Sequence, residues 1–200
     1  MLKVGLTGGL ATGKSMVGRA LAGFGCHLIE ADELGHAVLK RRAEAFDAVV
    51  EEFGPGILGP EGEIDRSRLA SEVFRSPERL AALNRLVHPP VIRRQDELLT
   101  QIAARDSGAI VVVEAAVMIE AGTYRRFDKL VLAVCGEEQQ IQRAIERDGV
   151  SREEALVRIR RQMPLQEKRK FAHYVIDTSG TPEETLRQAQ EVYNSLRSIA

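Results

Sequence analysis

The sequence predicts a three-layer α/β fold with a five-stranded parallel sheet between helices. Three observations predict it. Short apolar runs near residues 2–6, 26–30, 109–113, 129–134 and 174–177 read as buried strands. Segments of helical apolar spacing separate them, the alternation that builds parallel sheets. A glycine-rich turn joins the first run to the first of those helices.

That turn carries the chemistry. Leu2, Val4 and Leu6 alternate with Lys3 and Gly5, and the chain then reads Thr7-Gly8-Gly9-Leu10-Ala11-Thr12-Gly13-Lys14-Ser15. Gly8 to Ser15 fit G-x-x-x-x-G-K-[ST], the P-loop pattern. Glycines let the backbone curl and approach a ligand with no Cβ in the way. The curled backbone forms a nest of N–H groups for anionic oxygens. The helix that follows adds the positive end of its dipole at the same place. The expected nucleotide-binding residues are Gly8, Gly9, Ala11, Thr12, Gly13, Lys14, Ser15 and Met16, with ATP as the ligand. Lys14 is expected to reach the β- and γ-phosphates, and the Ser15 hydroxyl to ligate Mg²⁺. An ordinary glycine-rich turn would use the same residue types. The strand before it, and Val17, Ala20, Leu21 and Phe24 at helical spacing after it, favour the phosphate loop and a P-loop NTPase fold.

Bulk properties exclude several classes. The 200 residues hold 28 Lys and Arg against 29 Asp and Glu, so charge gives no reason to expect nucleic acid or an acidic membrane as partner. The two cysteines, Cys26 and Cys135, make neither a disulfide framework nor a zinc site and are expected to be buried thiols. The chain enters a strand directly, so no signal peptide is expected, and no apolar run is long enough to span a bilayer. A soluble, cytoplasmic protein, monomeric and acting on small molecules, is the expectation.

The second run, Cys26 to Glu30, completes a β-α-β unit. Glu30 and Asp32 stand at its carboxyl end, where ligands lie in parallel sheets. Asp32 suits work on a phosphate acceptor and also suits the N-cap of the next helix. Residues 33–105 read as mainly helical. Gly54-Pro55-Gly56 and Gly59-Pro60-Glu61-Gly62 break the pattern. Ile64 to Phe74 forms a short helix candidate, and Ser76-Pro77 opens another. His88-Pro89-Pro90 is expected to interrupt that helix, because proline lacks the N–H and clashes with the preceding turn. So long an insertion exceeds a simple crossover and is the candidate acceptor-binding region.

Ala109 to Val113 is the clearest buried strand and ends in Glu114, with Glu120 beyond it. An acid there resembles a Walker B position, holding Mg²⁺ through water. The alternative is that Glu114 meets the acceptor or an arginine. Lys129 to Val134 is the fourth strand. Glu137 to Asp148 is a helix with Arg143 and Arg147 on one face, ended by Gly149. Ser151-Arg152-Glu153-Glu154 is a capping box for the next helix. Pro164 ends that helix. A phosphoryl-transfer enzyme needs cations over the triphosphate and exclusion of water, so residues 137–170 read as an arginine lid with Arg147 as its working cation. The later basic residues, Lys168 among them, read as solvated surface. Tyr174 to Asp177 is the fifth strand, and Thr181-Pro182-Glu183-Glu184 caps a last amphipathic helix.

The whole set resembles the dephospho-coenzyme A kinases. The resemblance rests on Thr7 to Ser15, Ile29-Glu30-Ala31-Asp32, His88-Pro89, Glu114 to Glu120 and Arg147 to Ser151. Gln162-Met163-Pro164-Leu165-Gln166-Glu167-Lys168 and Val175 to Gly180 complete it. It implies a nucleoside-monophosphate-kinase-like fold with core 1–32, 106–136 and 171–200, an acceptor region 33–105 and a lid 137–170. It implies transfer of the ATP γ-phosphate to the ribose 3′-hydroxyl of dephospho-coenzyme A. Asp32 would be the catalytic base, with Lys14 and Arg147 as the other catalytic residues. Asp32, His88, Glu114 and Arg143 would meet the acceptor. The chain departs from the family pattern at Glu30, Met16 and Ala116, where Asp, Thr and Pro are usual. Another nucleoside monophosphate or small-metabolite kinase on this scaffold is the alternative, and a non-catalytic nucleotide-binding regulator is a third reading.

Overall fold

A computed structural model describes residues 1–73 and 75–200. The elements run, in order, β1 (Leu2–Gly8), α1 (Lys14–Gly23), β2 (His27–Glu30), α2 (Ala31–Val38), α3 (Phe46–Phe53), α4 (Arg66–Val73) and α5 (Pro77–Arg105). They continue with β3 (Ile110–Glu114), β4 (Lys129–Val134), α6 (Glu137–Asp148), α7 (Arg152–Arg160), α8 (Leu165–Arg169), β5 (Tyr174–Asp177) and α9 (Pro182–Arg197). The chain divides into two compact units, one of Met1–Glu30 with Ile102–Ala200 and one of Ala31–Gln101.

The first unit holds the sheet. Its strand order is β2-β3-β1-β4-β5, with every pairing parallel. The register sets Leu6 beside Glu114 and Gly8 beside Ala133. β1 is therefore the central strand, and the glycine loop leaves it at the carboxyl edge, between the ends of β3 and β4. The three inner strands, β3, β1 and β4, are buried on both faces over most of their length. Val4, Leu6, Val112, Val131 and Ile176 pack with Val17 and Leu21 of α1 and with Ala189, Val192 and Leu196 of α9. Cys26 is a buried free thiol in this core, and burial pushes its pKa up to about 11. On another side, Ile141 and Ala144 of α6 and Ala155 of α7 pack with Leu10 and Ala11 of the loop. A third cluster joins Met118, Ile119 and Leu130 to Phe127, Met163 and Phe171.

Local signals set the ends of the helices. Ser151 accepts from the Glu154 N–H while Glu154 accepts from the Ser151 N–H, the capping box of α7. Thr181 and Glu184 do the same for α9. Gly149 ends α6 at φ 66°, the left-handed conformation of a helix stop.

The second unit is helical and has its own core. Val38, Ala45, Val49 and Phe53 meet Ile57, Leu69, Val73, Ala82 and Val91. Three expectations change here. First, α5 runs unbroken through His88-Pro89-Pro90. Proline's fixed φ is itself helical, so the damage is confined to the missing hydrogen bonds and ring crowding one turn back. Burial of Ala82 and Val91 in this core, and of Pro90 itself, offsets it. Second, α2 begins at Ala31, directly after β2, so Asp32 lies inside its first turn and is not the N-cap. There it still favours the helix dipole. Third, the short helix begins at Arg66, because Asp65 accepts from the Ser67 and Arg68 N–H groups and stops it. Ile64 instead forms an antiparallel bridge with Leu58. Phe74, the expected end of that helix, lies outside the described residues. Among the described residues no helix is long and apolar enough to cross a membrane.

Leu6 is fully buried at the centre of the sheet. Leu6→Ala is expected to lower stability by about 2–5 kcal/mol, the range for a cavity in a rigid core. A shift of the urea midpoint at unchanged slope would register it.

Candidate active site

The loop between β1 and α1 is built by backbone requirements. Gly13 precedes α1 at φ 78°, which a side chain adopts only with strain. Ala11, at φ 52°, bears such strain, and its methyl is buried against α6 and α7. At Gly8 an added Cβ would stand 2.4 Å from Thr12 Oγ1 and 2.7 Å from the Ala133 carbonyl oxygen. Lys14 and Ser15 open α1, so both rise from the positive end of a helix dipole.

The outward carbonyls of the loop meet side-chain donors. Lys14 Nζ donates to Gly9 O at 3.0 Å, and Thr12 Oγ1 reaches the same oxygen at 3.1 Å. Gln140 of α6 donates to Leu10 O at 2.7 Å, while Gln162 Oε1 accepts from Leu10 N–H at 2.8 Å. Thr178, just past β5, is 2.9 Å from Thr12 O and 3.2 Å from Val134 O.

Ser15 Oγ donates to Glu114 Oε1 at 2.8 Å, so the end of β3 meets the start of α1. Glu114 is buried. Arg143 is turned onto Thr178, bonding its hydroxyl at 3.1 Å and its carbonyl at 2.7 Å, and through Thr178 it connects to Thr12. Arg147 is exposed and pairs with both oxygens of Asp148, at 2.7 and 2.9 Å. That guanidinium holds the Asp148 carboxyl below the usual carboxylate range. Arg158 approaches Asp148 at 3.7 Å.

Lys168 is a correction. Read from sequence as solvated surface, it is fully buried, with Nζ 3.0 Å from Gly8 O, 2.9 Å from Ala116 O and 2.9 Å from Glu120 Oε1. A lysine is buried whole only where partners replace its water. α8 packs against the body of the first unit, and that brings the ammonium to its acceptors. A cavity of about 230 Å³ lies nearby, lined by Val134, Cys135, Leu165, Arg169, Asp177 and Ser179 among others.

Two expected residues belong to the second unit. Asp32 is exposed in the first turn of α2. His88 is half-buried in α5, and that burial pushes its imidazole pKa below the ordinary value.

Comparison with known proteins gives these features a family. The family model described as dephospho-CoA kinase matches residues 2–184. The chain belongs to the dephospho-CoA kinase family. A relative from Aquifex aeolicus named dephospho-CoA kinase is 38% identical over 98% of each chain. The crystal structure of TT1252 from Thermus thermophilus is similar with a TM-score of 0.81 at 34% identity, covering 97% of this chain and 96% of that one. The dephospho-CoA kinase from Campylobacter jejuni gives 0.70 at 25% identity, covering 98% and 97%.

Sequence reasoning missed Gln140, Gln162 and Thr178 as loop partners, besides Lys168. Thr178 had a signal, a polar residue directly past an apolar strand at the ligand edge of the sheet. The glutamines and Lys168 had none from periodicity, since their partners are distant in sequence.

His88 yields a pH prediction. With its folded pKa depressed, the unfolded chain takes up a proton first as pH falls through the ordinary value of 6.5. Stability should therefore decline below that pH. His88→Gln should flatten the decline, as read by urea midpoints across the range from neutral to mildly acidic.

Proposed function

We propose that this chain transfers the γ-phosphate of ATP to the ribose 3′-hydroxyl of dephospho-coenzyme A, giving coenzyme A and ADP. The observation that carries the reading is an intact phosphate loop, Gly8 to Ser15, seated at the carboxyl edge of a parallel sheet in a chain of the dephospho-CoA kinase family.

Each residue has a role in it. Glycine-loop N–H groups and the α1 dipole hold the phosphates of ATP. Lys14 turns from Gly9 O to the β- and γ-phosphates and places charge where it grows during transfer. The cavity beside β4 and β5 supports a seat for the nucleoside end, with apolar walls at Val134 and Leu165 and polar groups at Asp177 and Ser179.

Mg²⁺ is part of the reading. Ser15 Oγ and Glu114 Oε1, 2.8 Å apart, are hard oxygen donors of the kind it prefers. Among the described residues no group of three or more His, Cys, Asp or Glu could hold a metal. This suits an ion that arrives with ATP and keeps phosphate and water ligands. Ser15 would ligate it directly, and Glu114 would orient Ser15 or a bound water. The ion's contribution is to offset phosphate charge.

Asp32 serves as the base. The acceptor oxygen bonds to the γ-phosphorus as the bond to the β,γ-bridging oxygen breaks. The hydroxyl proton passes to the Asp32 carboxylate, and ADP leaves. His88 contributes to acceptor binding. Arg143 and Arg147 supply cations, and Arg147 must leave Asp148 to do so.

A coupled assay of ADP release, run with and without dephospho-coenzyme A, tests the reading. Release should depend on this acceptor, and nucleoside monophosphates in its place should give little. ADP release that ignores the acceptor would overturn the proposal. Lys14→Ala should lose turnover by orders of magnitude while remaining folded. Asp32→Asn should lower turnover by about 10²–10⁴-fold with ATP affinity little changed. Lost ATP binding, with normal turnover at saturating ATP, would reassign Asp32 to the metal.

A further inference from the structure

Lys168 has an uncommon set of partners. An ammonium has three N–H donors, and the structure supplies three acceptors within 3.0 Å. They come from three places: the first residue of the phosphate loop, the turn after β3 at Ala116, and the Glu120 carboxylate beyond it. Thr7, one residue before the loop, also donates to Ala116 O, at 3.2 Å. Glu120 is held in turn, because Oε1 accepts from Met163 N–H at 3.0 Å, just ahead of α8.

Stability alone is a weak reason for this arrangement. A buried ion pair often does no better than a well-packed apolar pair of equal volume. An apolar side chain, however, cannot hold two carbonyls. Those of Gly8 and Ala116 are held on one ammonium, and Gly8 adjoins a second glycine, where the backbone is least constrained by its own side chains. Lys14 already takes the next carbonyl, Gly9 O, so two lysines hold two consecutive peptides of the loop.

We propose that Lys168 is a positioning residue: its buried ammonium clamps the entrance of the phosphate loop to the turn after β3, with Glu120 as counter-charge, and keeps the loop in its nucleotide-ready shape before ATP arrives. The inference rests on the reading of this loop as the ATP site. Without the clamp, ATP must order the loop as it binds, and affinity falls by the cost of that ordering. Once ATP is bound the loop is ordered, and turnover at saturation recovers.

The test compares the wild-type chain with Lys168→Met, Glu120→Gln and the double variant. Circular dichroism melts measure the folded fraction, calorimetry with ATP alone measures Kd, and steady-state ADP release measures kcat and KM. Lys168→Met keeps the stem and removes the charge. Its Kd and KM for ATP should rise about tenfold to hundredfold, the worth of hydrogen bonds from a charged donor. Its kcat should stay within about threefold, and its KM for the acceptor should not move. Glu120→Gln should change ATP affinity in the same direction. The double variant should lose less than the product of the two single losses. A fall in kcat that tracks the folded fraction, with Kd and KM for ATP unchanged, would reduce Lys168 to a structural role and overturn the proposal. Should Lys168→Met not fold, Glu120→Gln decides by the same criteria. Calorimetry uses no acceptor, so it judges the clamp even if dephospho-coenzyme A proves the wrong acceptor.

Discussion

The constraint on which this structure depends is the backbone chemistry of the phosphate loop. A nest that turns N–H groups toward an anion must turn carbonyls the other way, and buried carbonyls need donors. Gly8 O has Lys168, Gly9 O has Lys14 and Thr12, Leu10 O has Gln140, and Thr12 O has Thr178. These donors stand on α1, α6, α8, the loop itself and the end of β5. Much of the first unit beyond its sheet can be read as scaffolding that brings them to one place.

Seen this way, the segment 137–170 has two kinds of residue. Gln140, Gln162 and Lys168 face inward and hold the loop from behind. Arg147, Arg152 and Arg158 lie on the surface and pair with carboxylates there. The apolar contact of Ile141, Ala144 and Ala155 with Leu10 and Ala11 joins α6 and α7 to the loop. Arg143 stands between the two kinds, partly buried and held on Thr178.

Much of this was legible in the sequence, and for identifiable reasons. Strands β3 and β4 announce themselves because a strand covered on both faces must be a short apolar run. The starts of α7 and α9 are written in four residues each, since a capping box is local chemistry. The loop is legible because its glycines are required by backbone geometry. What could not be read depends on contacts distant along the chain. Lys168 has the chemistry of a surface residue, and only the packing of α8 against the rest of the first unit buries it. The unbroken α5 at Pro89-Pro90 is the converse: a strong local signal overruled by burial in the second unit's core. Asp32 moved from cap to first turn because no linking residue separates β2 from α2.

The strand order bears on how the chain emerges during synthesis. β1 is made first yet sits in the middle, and its neighbours β3 and β4 begin at Ile110 and Lys129. One edge of β1 stays open until β3 has left the ribosome, and the other until β4 has. The loop waits longer still: Leu10 meets Gln162 across 152 residues, Gly8 meets Lys168 across 160, and Thr12 meets Thr178 across 166. A nascent or truncated chain that stops short of α8 carries every residue of the glycine motif, but without the side chains that hold its shape. A loop that precedes its partners by so much chain is among the last parts of the first unit to be finished.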